Sequence, residues 1–170
     1  MKRLQTWRLL ILFTALLGLG NPALWADLAP IVINEVCYAP LAMDSGFEWI
    51  ELFNSSTEDI DLEGAMIQAG GSTFQHVFTI PHYILRAQRF VLIGEAQIPY
   101  AVFTTNLEFQ NGGAETDGIR FVAPDGSYTD TVLYDSPNVN GLTDDHGLAG
   151  VSFAPDVSEG RSLARIMDGW

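Results

Sequence analysis

From Ile31 onward the chain is a succession of short β-branched and aromatic runs, interrupted about every ten residues by turn-forming residues, and helical periodicity is hard to find. That pattern limits the fold to an all-β sandwich or barrel. Strands are expected over 31–38, 49–54, 65–68, 73–79, 89–94, 101–103, 118–123 and 129–134. The punctuation between them is explicit: Asn54-Ser-Ser, Ala69-Gly-Gly-Ser72, Asn111-Gly-Gly113 and Pro124-Asp-Gly126. The last of these, lying between Ile119-Arg-Phe-Val and Tyr128-Thr-Asp-Thr-Val, is the clearest hairpin signal. There is no internal repeat and no linker long enough to divide the chain, so one domain is expected.

Ahead of this region, Lys2, Arg3 and Arg8 precede an apolar run from Leu9 to Leu19, which Gly20, Asn21 and Pro22 break. This is the layout of a secretory signal peptide, with cleavage expected after Ala26 and Ala23 as a second choice. The run is short of the roughly 20 residues that a membrane-spanning helix needs. No membrane span is therefore expected after cleavage, and the mature protein, 27–170, is expected to be secreted, periplasmic or held at the cell surface. Five cationic side chains, all arginine, then face 21 acidic ones, a net charge of −16. Such a surface repels phosphate backbones and argues against nucleic-acid binding. The lone cysteine, Cys37, cannot form an internal disulfide and reads as a small buried hydrophobe.

Two strand-like runs carry carboxylates among apolar residues. In the second, strict alternation puts Phe47, Trp49, Glu51 and Phe53 on one face and Glu48, Ile50, Leu52 and Asn54 on the other. Both faces are mostly apolar, which predicts a central strand. In the first, Glu35 falls on the face of Ile31, Ile33 and Cys37. A buried carboxylate costs several kcal/mol unless it is paired or hydrogen-bonded. Glu35 and Glu51 are therefore read as structural carboxylates with partners, the candidates being Arg86, Arg89, Arg161 or the amides of a turn.

Six segments in order, Ile33-Asn-Glu-Val, Glu48-Trp-Ile-Glu-Leu-Phe-Asn, Ile60-Asp-Leu-Glu-Gly64, the block from Phe78-Thr-Ile-Pro to Leu85-Arg-Ala-Gln-Arg-Phe-Val-Leu-Ile-Gly94, Asp117-Gly-Ile-Arg-Phe with Pro124-Asp-Gly, and Gly160-Arg-Ser-Leu-Ala-Arg165, resemble the bacterial lamin-tail domain. The resemblance runs over nearly the whole mature chain. It implies an immunoglobulin-like antiparallel β-sandwich, found in secreted or surface proteins alone or beside nucleases and other hydrolases. Two departures stand out. The family usually has Trp where Ala65 follows Gly64, so core volume is expected from Met66, Phe74 or Trp49. Similar sequences also continue beyond Met167-Asp-Gly-Trp170 through an acidic stretch, which leaves a C-terminal truncation open. Lamins use this domain for protein and nucleic-acid contacts, and the −16 charge counts against the second use here.

No Gly-x-Ser-x-Gly elbow, His-Glu-x-x-His pair, phosphate loop or paired-cysteine metal motif is present. His76 and His82 read as isolated histidines, whereas His146, after Asp144 and Asp145, is the best transition-metal candidate of the three. Glu58-Asp-Ile-Asp-Leu-Glu-Gly64 imitates the start of a calcium loop, but Gly70 stands where the twelfth-position Glu would be needed. A looser calcium site built from Asp125 with Asp130, or Asp144 with Asp145, stays open. No other cofactor is expected. The sequence thus points to an exported, non-enzymatic interaction module for a protein or cell-surface component. The alternatives are an accessory domain of an extracellular hydrolase or nuclease system and a weak calcium-dependent adhesion domain. The oligomeric state is not legible.

Overall fold

In the computed structural model, residues 29–41, 45–112 and 114–168 are described, and the expected signal peptide lies outside them. Eleven strands and no helix make up this region. No helix among the described residues is long and apolar enough to cross a membrane.

Strands β1 (Ile31–Cys37), β2 (Trp49–Asn54), β7 (Phe90–Gly94), β8 (Phe103–Thr104) and β11 (Leu163–Ala164) form one sheet in the order β11-β1-β2-β7-β8. A second sheet runs β10-β9-β4-β5, from β4 (Met66–Gly70), β5 (Gln75–Thr79), β9 (Asp117–Val122) and β10 (Thr129–Tyr134). All neighbours are antiparallel except β7 and β8. Strands β3 (Ile60–Asp61) and β6 (Ile84–Leu85) pair with each other as a separate ribbon. The fold is the immunoglobulin-like β-sandwich that the resemblance implied, one of the two all-β architectures that the strand pattern allowed. Alternation along each central strand explains the layering: Ile50 and Leu52 in β2, Val91 and Ile93 in β7, Ile67 in β4, and Ile119 and Phe121 in β9 are all buried in one shared core. Tyr134 joins them, stacked on Tyr38 at 4.0 Å between ring centroids, with its hydroxyl donating to Gln110 O at 2.6 Å.

β2 is central, as read, and β2 and β10 have the expected bounds. The hairpin at Pro124-Asp-Gly126 is also in place: Val122 pairs with Thr129, and Gly126, at φ +70°, donates its amide to Ala123 O. That left-handed backbone suits glycine. Three strands of only two residues, β3, β6 and β11, went unpredicted.

One error of register matters. Ile33 pairs with Leu52 and Glu35 with Glu51, so Asn34 is an extra residue forming a β-bulge. The inward series therefore changes from Ile31 and Ile33 to Val36 and Tyr38. Glu35 consequently leaves the face of Ile31 and Ile33 and lies half-buried beside Glu51 on the outer face. Met66, Phe74 and Trp49 do not belong to the buried core around Ala65, contrary to expectation. Phe74 instead lies under Arg120, whose guanidinium carbon is 3.9 Å from the ring centroid. Cys37 is buried and free, and burial pushes its thiol pKa up.

Candidate interaction cleft

A cleft of about 450 Å³ opens where β1 and β11 of one sheet approach β10 of the other. Its apolar lining includes Ile33, Val36, Leu133, Phe153 and Leu163, and its rim carries Asp144, Asp145, His146 and Arg165. Its geometry follows from how two cations, Arg165 and Arg120, hold the segments around it.

Arg165 anchors the side formed by β1 and β10. Its Nη2 donates to Asp130 Oδ1 and Oδ2 at 2.7 and 2.9 Å, while its Nε donates to Ile33 O at 2.7 Å. Asp130 Oδ2 in turn accepts the Ile33 amide at 2.7 Å, and the Arg165 amide donates to Asn34 O at 3.0 Å. One buried carboxylate on the second sheet and one guanidinium from the C-terminal segment thus grip the bulge of β1. The clamp ties the two sheets together beside the cleft. Burial raises the Asp130 pKa and outweighs the lowering by Arg165 and by the Ile33 amide. The distances nevertheless identify the ion pair that the bulge requires.

Arg120 holds the opposite side. Its Nε donates to Thr131 Oγ1 at 2.8 Å, and its Nη2 reaches Thr143 O at 2.5 Å and Asp144 O at 3.2 Å. The loop is stapled from within as well: Asp144 Oδ1 accepts the amides of His146 and Leu148, and Asn138 Nδ2 donates to Leu142 O and Gly150 O. Asp145 accepts from Thr129 Oγ1 at 2.8 Å and from Thr131 Oγ1 at 2.6 Å. The Leu148 amide is the main reason that the Asp144 pKa is lowered. Two adjacent negative charges are thereby fixed at the rim of a partly apolar cleft.

The sequence-derived candidates separate accordingly. Asp144, Asp145 and His146 meet at the cleft, and Asp130 is the partner of Arg165, which also lines it. Asp125 lies on the exposed β9–β10 turn and accepts the Ser127 amide, whereas Asp130 is buried and paired with Arg165. Glu35 and Glu51 do have partners, but these are not arginines. Ser162 Oγ donates to Glu35, and Asn34 Nδ2 donates to Glu51 Oε1 at 3.0 Å. The Glu51 pKa is raised, first by burial and then by the charges of Glu35 and Asp168.

Two groups escaped sequence reasoning. Glu48 and Glu95, both buried, face the 45–48 and 106–109 segments, where backbone amides occupy their oxygens. Asp61, Glu63 and His82 converge at the β3–β6 ribbon, the one such set of three found among the described residues. Asp61 and Glu63 lie in the Glu58–Gly64 segment already weighed for calcium, but His82, like the amide partners of Glu48 and Glu95, comes from a distant part of the chain and leaves no local signature.

A family model described as Lamin Tail Domain matches residues 26–148. No curated protein matches the chain.

Proposed function

The chain belongs to the lamin-tail domain family, and from that premise we propose that it acts as an exported, non-enzymatic binding module whose cleft between β1 and β10 holds a protein or cell-surface partner. The observation that carries this reading is a partly apolar cleft bordered by a braced acidic loop. Surfaces held rigid in the binding conformation lose less entropy on association than loops that must be ordered. The charge of the site selects for a partner segment that offers apolar side chains flanked by cationic ones. Export is supported by the leader-like composition of residues 1–26. The non-enzymatic reading rests on the family and on the absence of a recognisable catalytic motif.

Affinity capture from the native extracellular fraction tests it, with the 27–170 segment as bait beside a version whose 141–150 loop is replaced by a short neutral linker. The intact bait should recover a partner, weakly at high salt, that the altered bait does not. Recovery of the same partner by both baits would remove the loop from the binding site.

A further inference from the structure

We propose that Asp61, Glu63 and His82 form a binding site for a divalent transition metal of the zinc class, away from the cleft. His82 Nδ1 lies 2.9 Å from Asp61 Oδ2 and 3.7 Å from Glu63 Oε2, and one ligand atom from each residue lies within 4.8 Å of the others. Ligands bonded to tetrahedral zinc at about 2.0–2.2 Å stand roughly 3.3–3.6 Å from one another. The two measured separations bracket that range, so small side-chain rotations would admit an ion.

The backbone presents these groups from fixed positions. Asp61 pairs with Ile84 in the ribbon, the Leu62 amide donates to Tyr83 O at 2.9 Å, and the Gly64 amide donates to Ile80 O at 3.0 Å. Leu62 is fully buried between Asp61, the last residue of β3, and Glu63, which opens the turn that the Ala65 amide closes on Leu62 O at 2.9 Å. Asp61 Oδ1 accepts the amides of Glu63 and Tyr83, at 3.0 and 3.4 Å, which orients the carboxylate and turns Oδ2 toward the imidazole. Support of this kind behind a ligating carboxylate is what fixes its geometry in metal sites.

The donor set selects the ion. One imidazole nitrogen and two carboxylates suit zinc, copper or nickel, whereas calcium takes six to eight oxygens, more than this group supplies. All three residues are exposed, leaving room for water to complete the coordination.

The test is titration of the purified full chain in metal-free buffer with Co²⁺, followed by its visible absorption, with Zn²⁺ and Ca²⁺ as competitors. One Co²⁺ per chain should bind with an intense visible band, Zn²⁺ should displace it, and Ca²⁺ at the same concentration should not. Removing a ligand by His82→Ala or Glu63→Gln should weaken binding by at least about tenfold, the lower end of what even outer partners of a metal site contribute. His146→Ala should leave it unchanged. Both ligand variants should melt like the parent in chelator, because the substituted side chains are exposed. Binding unaltered by His82→Ala, equal displacement by Ca²⁺, or no binding up to millimolar Co²⁺ would each overturn the assignment.

Discussion

Two acidic corners of this sandwich use similar side chains in opposite ways. At the ends of β2 and β7, Glu95 Oε2 accepts the amides of Gly46 at 2.6 Å and Glu48 at 3.2 Å, while its Oε1 accepts that of Leu107 at 3.2 Å. Glu48 Oε2 accepts the Phe109 amide at 2.8 Å, and both carboxylates are almost wholly buried. These two side chains act as backbone, joining loops that have no strand partner. At the β3–β6 ribbon, Asp61, Glu63 and His82 are exposed, and their facing atoms are directed at one another. What decides the role of an acidic group is therefore which atoms its oxygens already hold. The buried corner is predicted to carry stability, and the exposed corner very little.

The largest effect should come from Glu95→Ala, which leaves three amides without their acceptor. At about 1–3 kcal/mol for each unsatisfied buried group, with water restoring part, the loss should be about 3 kcal/mol in a urea titration. A loss below about 1 kcal/mol would show that the carboxylate is not what holds these loops. Next comes Arg165→Met, which strands Asp130. Removing one member of a fully buried pair costs about 3–5 kcal/mol. The Arg165 side chain is 28% exposed, so about 2 kcal/mol is expected here. Replacing both residues, as Asp130→Leu with Arg165→Met, should restore part of that loss, because no uncompensated charge then remains. A double variant no better than Arg165→Met alone would place the stabilisation in the bonds that the two side chains make to the Ile33 amide and carbonyl instead.

How far the sequence could be read depended on the distance over which each feature is encoded. Strands Trp49–Asn54 and Thr129–Tyr134 were legible because turn residues bound apolar, β-branched or aromatic runs long enough to show a period. Ile60–Asp61 and Ile84–Leu85 are too short to show any period. Without that ribbon, nothing brings His82 within reach of Asp61, 21 positions away. The bulge at Asn34 was equally hidden, since uninterrupted alternation is the simplest reading of Ile31–Cys37. Glu48 was visible as a carboxylate among hydrophobes, but its donor, the Phe109 amide, is 61 residues distant and leaves no side-chain signature. The acidic run at Asp144 and Asp145 was legible as a candidate metal-binding loop, but neither the cleft it borders nor the bracing by Arg120 that fixes it could be foreseen.

Glu51 gives a smaller effect, and one that depends on pH. Its folded-state pKa lies above the ordinary value of 4.5, so between those two values the folded protein binds more protons than the unfolded chain. Stability attributable to this group is therefore greatest in acid and falls as pH rises through that window. Glu51→Gln removes the repulsion from Glu35 and Asp168 and keeps an acceptor for Asn34 Nδ2. The variant should be more stable than the parent at about pH 7, and the difference should narrow toward about pH 4 in denaturant titrations. A gap independent of pH would assign it to packing. The smallest effect is expected at the exposed corner: His82→Ala in chelator should leave the urea midpoint essentially unchanged, as for other exposed surface contacts. A clear loss would mean that the contact between His82 and Asp61 holds the ribbon together without any ion, and the contrast between the two corners would then fail.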